Sequence, residues 1–137
     1  MSRSGYFDDC DSHWDLIKWR GQVASAIRGK RGQAFLRELL AALDAMPEKK
    51  LIAHDLIHEG NVCAIGSVGV ARGVDLAALD PYDYDKIAEV FGIAHQLVQE
   101  IEWWNDEGGY RDAPEARWSR MREWVASQIA EPKEPAP

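Results

Sequence analysis

A mainly α-helical fold, a compact bundle of about five to six helices, is what this 137-residue sequence predicts. Three observations carry that reading. Apolar residues recur at three- and four-residue intervals along most of the chain. Glycine and proline interrupt the pattern at several places that suit helix ends. Residues 84–104 read as a helix, a tight glycine turn and a second helix, with Ile87 and Ala88 before the turn, Gly92 in it, and Ile93, Val98 and Ile101 after it. That is the spacing of a helix-turn-helix.

Residues 1–11 are polar and acidic and read as a poorly anchored arm, leaving one helical domain over 12–130 and a disordered tail over 131–137. The first helix should run from Ser12 to Arg28, with Ser12 as cap, Asp15 on the positive end of the dipole, and Trp14, Ile17, Val23, Ala24 and Ile27 facing inward. Arg28-Gly29-Lys30-Arg31-Gly32 breaks the pattern. A second helix spans Gln33 to Met46 on the recurrence of Phe35, Leu36, Leu39, Leu40 and Leu43, and Pro47 stops it. The two should form an antiparallel hairpin.

Residues 50–65 allow two readings. Leu51-Ile52-Ala53 and Val62-Cys63-Ala64-Ile65 flank Glu59-Gly60-Asn61 and could pair as one small β-hairpin. Alternatively Lys50–His58 is a short helix and Val62–Arg72 another. The small residues Ala64, Gly66, Ser67, Gly69 and Ala71 favour a closely packed helix over 63–72, with Gly73 as its C-terminal cap. The helix-turn-helix-like pair follows a linker over 74–83 and ends near Gly108-Gly109. The last helix begins at Asp112, which suits a cap, with Pro114 in the first turn and Glu115 at capping-box spacing. Its buried face is Trp118, Met121, Val125 and Ile129.

The totals narrow the function classes. At 46% hydrophobic residues the chain has a real core. No apolar run approaches the roughly 18 residues of a membrane span, and the N-terminus lacks the apolar stretch of a secretory signal. Two cysteines, Cys10 and Cys63, make no disulfide framework, so a reduced cytosolic setting is expected. The net charge of −7 is uneven: residues 1–50 carry +2, residues 51–111 carry −8 and the remainder −1. Such a middle segment repels phosphate backbones and attracts a basic partner surface, or it simply keeps the chain soluble.

Five constellations could carry chemistry. On the helix-turn-helix-like pair, the face that would meet DNA carries His95, Gln96 and Gln99, beside Glu100 and Trp103, and no Lys or Arg. DNA reading from that helix would need cations from elsewhere, such as Arg28, Lys30 and Arg31. Cys63, with His54, His58 or His95 as base and Asn105 or Asp106 as orienter, would suit a cysteine-dependent hydrolase, although Val62 and Ile65 beside it suggest a buried thiol. His54, His58 and Cys63, with Cys10, His13 or His95 as a fourth ligand, lack the paired spacing of zinc signatures. Asn105-Asp106-Glu107-Gly108-Gly109 lacks the alternating ligands of a calcium loop. No metal or other cofactor is expected. Trp103-Trp104 stand about 100° apart on a helix, so either one lies at the surface among Asn105, Asp106 and Glu107 or neighbouring helices sandwich both rings.

Val62-Cys63-Ala64-Ile65-Gly66-Ser67-Val68-Gly69, then Phe91-Gly92-Ile93, then Trp104-Asn105-Asp106-Glu107-Gly108-Gly109 before a Trp-rich last helix, resembles a group of small proteins encoded by bacteriophages, prophages and some bacteria. The resemblance covers roughly residues 12–130, and its sharpest marks are the Cys-Ala-Ile-Gly and Trp-Asn-Asp elements. It implies a phage or prophage accessory protein and brings no activity or catalytic residue with it. Such proteins often act on host proteins, including antiviral defence. The functional expectation is therefore a non-enzymatic protein that docks an acidic, aromatic surface (Glu100, Trp103, Trp104, Asp106, Glu107) on a basic host protein or nucleoprotein complex, with a DNA-binding regulator and a cysteine-dependent hydrolase as alternatives.

Overall fold

The computed structural model describes residues 13–108 and 112–130. The expectations for the N-terminal arm, the Ser12 cap, Cys10, Gly109 and the tail fall outside those residues. The described residues form six α-helices, α1 (His13–Arg28), α2 (Lys30–Ala45), α3 (Ala64–Arg72), α4 (Tyr84–Phe91), α5 (His95–Asp106) and α6 (Pro114–Gln128), with one two-stranded antiparallel sheet, β1 (Ile57–His58) and β2 (Asn61–Val62). The mainly helical bundle with one small hairpin is what the sequence predicts. Among the described residues, no helix is long and apolar enough to cross a membrane.

Helices α1 and α2 pack on each other around a shorter corner than expected. Gly29 alone stands between them, and α2 starts at Lys30 rather than Gln33. Gly32 is a packing requirement here, because a Cβ would lie 1.9 Å from the Ala26 carbonyl oxygen of α1. The inward stripe expected for α1 needs correction. Val23 and Ile27 are buried, but Trp14 is 63% exposed and Ile17 48%. The apolar residues of α1 that reach the core begin at Trp19, so the first turn and a half of the helix carries its apolar side chains outside it.

The ambiguous stretch resolves as a loop and a short hairpin. The partners are Ile57 with Val62 and His58 with Asn61, so β1 begins four residues after Ala53, beyond the Leu51-Ile52-Ala53 segment expected to form it. Glu59 and Gly60 both have positive φ (51° and 80°), which matches a two-residue type I′ hairpin turn. His54, at φ 68°, cannot continue a right-handed helix, which removes the helical reading of 50–58. The expected helix over 63–72 is α3, closed by Gly73 at φ 74°. It is buried from Ala64 through Gly69. A Cβ on Gly66 would stand 2.3 Å from the Leu56 carbonyl oxygen, so the hairpin approaches α3 only because that residue is glycine.

The α4–α5 pair turns at Gly92 (φ 73°), whose N–H donates to the Ala88 carbonyl, as the spacing predicts. Helix α5 lies at the centre of the bundle, packed by α1, α3, α4 and α6. At the last helix, Asp112 does not cap. The N-cap is Ala113, without a side-chain bond, and the Asp112 carboxylate accepts from Arg120 Nε at 2.6 Å. Met121, Trp124 and Val125 of α6 are buried, and Trp118 donates its indole N–H to the Leu43 carbonyl of α2 at 3.1 Å.

Candidate interaction surface

The acidic residues of the middle segment divide into two populations. Glu100, Glu102 and Asp106, all on α5, are 1%, 0% and 7% exposed. Glu100 accepts from Arg20 Nη1 of α1 through both carboxylate oxygens at 3.0 Å. Burial pushes its pKa up to about 7, with a Trp104 hydrogen bond working the other way. Asp106 Oδ1 accepts the His54 backbone N–H at 3.0 Å and the Asn105 amide at 2.8 Å. These two carboxylates are bonded inside the molecule, which corrects the expectation that they face a partner. Trp103 and Trp104 are half-buried. Trp104 stacks on Trp124 at 5.4 Å and meets Trp103 edge-on, so neither indole stands clear of the surface. Glu107 is half-buried as well.

Asn105 explains why this end of α5 is so polar. Its Oδ1 accepts the Ala64 N–H at the start of α3 (3.0 Å), and its Nδ2 donates to the Ile52 carbonyl (2.9 Å). Cys63 caps α3, its Sγ accepting the Gly66 N–H at 3.4 Å. The Cys-Ala-Ile-Gly and Trp-Asn-Asp elements therefore meet in space as one staple between α3, α5 and the loop before β1. Arginines from α6 close the other side. Arg117 donates to the Asn105 and Leu51 carbonyls at 3.0 Å, and Arg120 donates to the Trp104 carbonyl. Cations on the last carbonyls of α5 complement the negative end of its dipole. Desolvation lowers the pKa of Arg117, with Asp112 and Asp106 supporting its charge.

The other sequence candidates scatter. Cys63 is buried with 0% exposure, where an attacking thiolate has no access. His54 is exposed in the loop, with Nδ1 3.7 Å from Asp106 Oδ2, and His58 lies on β1, so the two share no helix face. Among the described residues no three His, Cys, Asp or Glu side chains gather to hold a metal ion. The DNA-reading face also needs correction. Gln99 is 1% exposed, its Oε1 3.2 Å from His95 Nδ1, and His95 and Gln96 are half-buried. Helix α5 is enclosed by its neighbours and does not project as a reading head. Arg28, Lys30 and Arg31 are exposed at the α1–α2 corner.

The second acidic population is outside. Asp75, Asp80, Asp83, Asp85 and Glu89 are all exposed between α3 and the end of α4, against one exposed cation, Lys86. Tyr82, 53% exposed, stands among them in the Asp80–Asp85 turn, beside the half-buried Tyr84. The backbone here is fixed: Asp80 accepts the Tyr82 N–H at 2.9 Å, and Asp83 caps α4 by accepting the Lys86 N–H at 3.1 Å. Among the described residues no Lys or Arg pairs with Asp80, Asp83 or Asp85, and Lys86 lies 3.6 Å from Glu89. Sequence reasoning placed the acidic region here but put its centre on α5. The Asp-Pro-Tyr-Asp-Tyr-Asp string itself was the usable signal.

No family model matches the chain, and neither a curated protein nor a solved structure shows significant similarity to it.

Proposed function

We propose that the protein is a non-enzymatic interaction module, of the kind phages and prophages encode, that docks on a basic host protein or nucleoprotein complex. The observation that carries this reading is the Asp75–Glu89 segment, where five carboxylates and one lysine are exposed and Asp80, Asp83 and Asp85 stand beside the exposed Tyr82. Its field speeds encounter with a positive surface, while the tyrosine supplies rigid amphipathic contact area. Docking there would act by occlusion, since a partner that handles nucleic acid presents its positive groove to this surface instead. The resemblance carried by the Cys-Ala-Ile-Gly and Trp-Asn-Asp elements supports the phage origin.

A photo-crosslinking residue at position 82, used in bacterial extract, tests the surface. The expected result is a discrete adduct that is lost in high salt and in the double variant Asp85→Lys/Glu89→Lys, neither of whose residues caps a helix. The same adduct from a crosslinker at Ala34 on α2, or one indifferent to the charge reversals, overturns the proposal.

A further inference from the structure

We propose that the crevice between α1, α5 and α6 binds a small planar aromatic anion, held by Arg28 at its mouth and by the Trp104–Trp124 pair along its wall. The crevice has a volume of about 240 Å³. Arg20, Ala24 and Arg28 line its α1 side at four-residue intervals, which places all three on one ridge of the helix. The small Ala24 leaves room between the two cations. Opposite stand Trp104 of α5 and Trp124 of α6, stacked with an interplanar angle of 22°. An apolar ring entering over Ala24 meets indole surface, where offset or edge contact is favourable.

Charge decides the guest's sign. Glu100 also lines this crevice, and an indole wall above a buried carboxylate is ordinarily a setting for a cation. Arg20 already fills that role, with Nη1 at 3.0 Å from both Glu100 oxygens. Arg28 differs: it is exposed in the last turn of α1, and nothing among the described residues pairs with it. The Arg20–Glu100 pair is neutral with Glu100 ionised and cationic with it protonated, so in either state Arg28 leaves the mouth positive and equipped to grip a carboxylate bidentately. The proposal does not depend on the acidic surface at Asp75–Glu89, and the two can fail separately.

The test is an NMR titration that follows the indole N–H signals of Trp104 and Trp124. Indole-3-acetate should shift both saturably, with a Kd on the order of 1 mM as befits a fragment-sized ligand. Its methyl ester and the cation tryptamine should bind at least tenfold more weakly, a comparison that needs no variant. Arg28→Gln should cost a similar factor, and Ala24→Leu should abolish the shifts by filling the crevice, with circular dichroism confirming that both variants fold. The absence of saturable shifts up to 10 mM acid in the wild-type protein overturns the site, as does equal binding of the ester or of tryptamine. Binding unchanged in both variants overturns it too.

Discussion

The Asn105 side chain bonds three groups at once: the first N–H of α3, the Ile52 carbonyl and its neighbour Asp106. Asn105→Ala leaves the buried Ala64 N–H without that partner, at roughly 1–3 kcal/mol, and the half-buried Ile52 carbonyl at roughly 1 kcal/mol. A loss of about 2–4 kcal/mol in urea unfolding is therefore expected, a large part of the 5–15 kcal/mol that holds a typical domain together. Glu100 gives a pH-dependent companion test. Its folded pKa of about 7 lies above the ordinary glutamate value of 4.5, so its contribution is present below pH 4.5 and is lost as pH rises through 7. Glu100→Gln should consequently gain stability relative to the wild type between pH 5 and pH 8, and thermal melts across that range check the slope; a flat difference refutes it. None of this was legible residue by residue. The sequence marks Asn105 and Asp106 as helix terminators and Glu100 as polar, but Arg20 stands 80 positions away and Ala64 41. Periodicity reports which face of a helix is apolar, and it is silent about a polar face that another element covers.

At the scale of elements the reading succeeded wherever a local signal was sufficient. Gly73 and Gly92 take the left-handed cap conformation, and Pro47 follows the end of α2, as their chemistry dictates. It failed where tertiary contacts outweighed the local preference. Gly32 sits inside α2 because α1 needs the space, and Asp112 gives up its capping position to pair with Arg120. Helix α3 shows both effects: its small residues suggested tight packing, and the contact distances make that a steric demand. Gly66→Ala should therefore be among the most damaging single-methyl additions, because its Cβ would meet both the Leu56 carbonyl and the Val62 side chain. A cost of about 1–3 kcal/mol is expected, with faster alkylation of the neighbouring Cys63 as an independent readout of loosened packing. Alkylation unchanged from the wild type would show that the hairpin yields without strain.

For the molecule as a whole, the bundle and its central α5 were legible as a fold class, whereas the position of the acidic surface was not. Net charge over residues 51–111 counts buried and exposed carboxylates alike, and only the structure separates Glu100, Glu102 and Asp106 from Asp75 through Glu89. The burial of α5 also explains how a helix-turn-helix spacing comes to serve as internal scaffolding: its second helix bonds to α1 on the face a DNA reader would leave open, and its C-terminal end bonds to α6. The arginine clasp from α6 has a temporal corollary. Arg117 and Arg120 bond the Leu51, Trp104 and Asn105 carbonyls from the last helix of the described bundle. A nascent polypeptide still tethered at residue 112 lacks that closure, so the domain should mature only after α6 clears the ribosome exit tunnel, and ribosome-bound intermediates stalled there should be cut readily by protease.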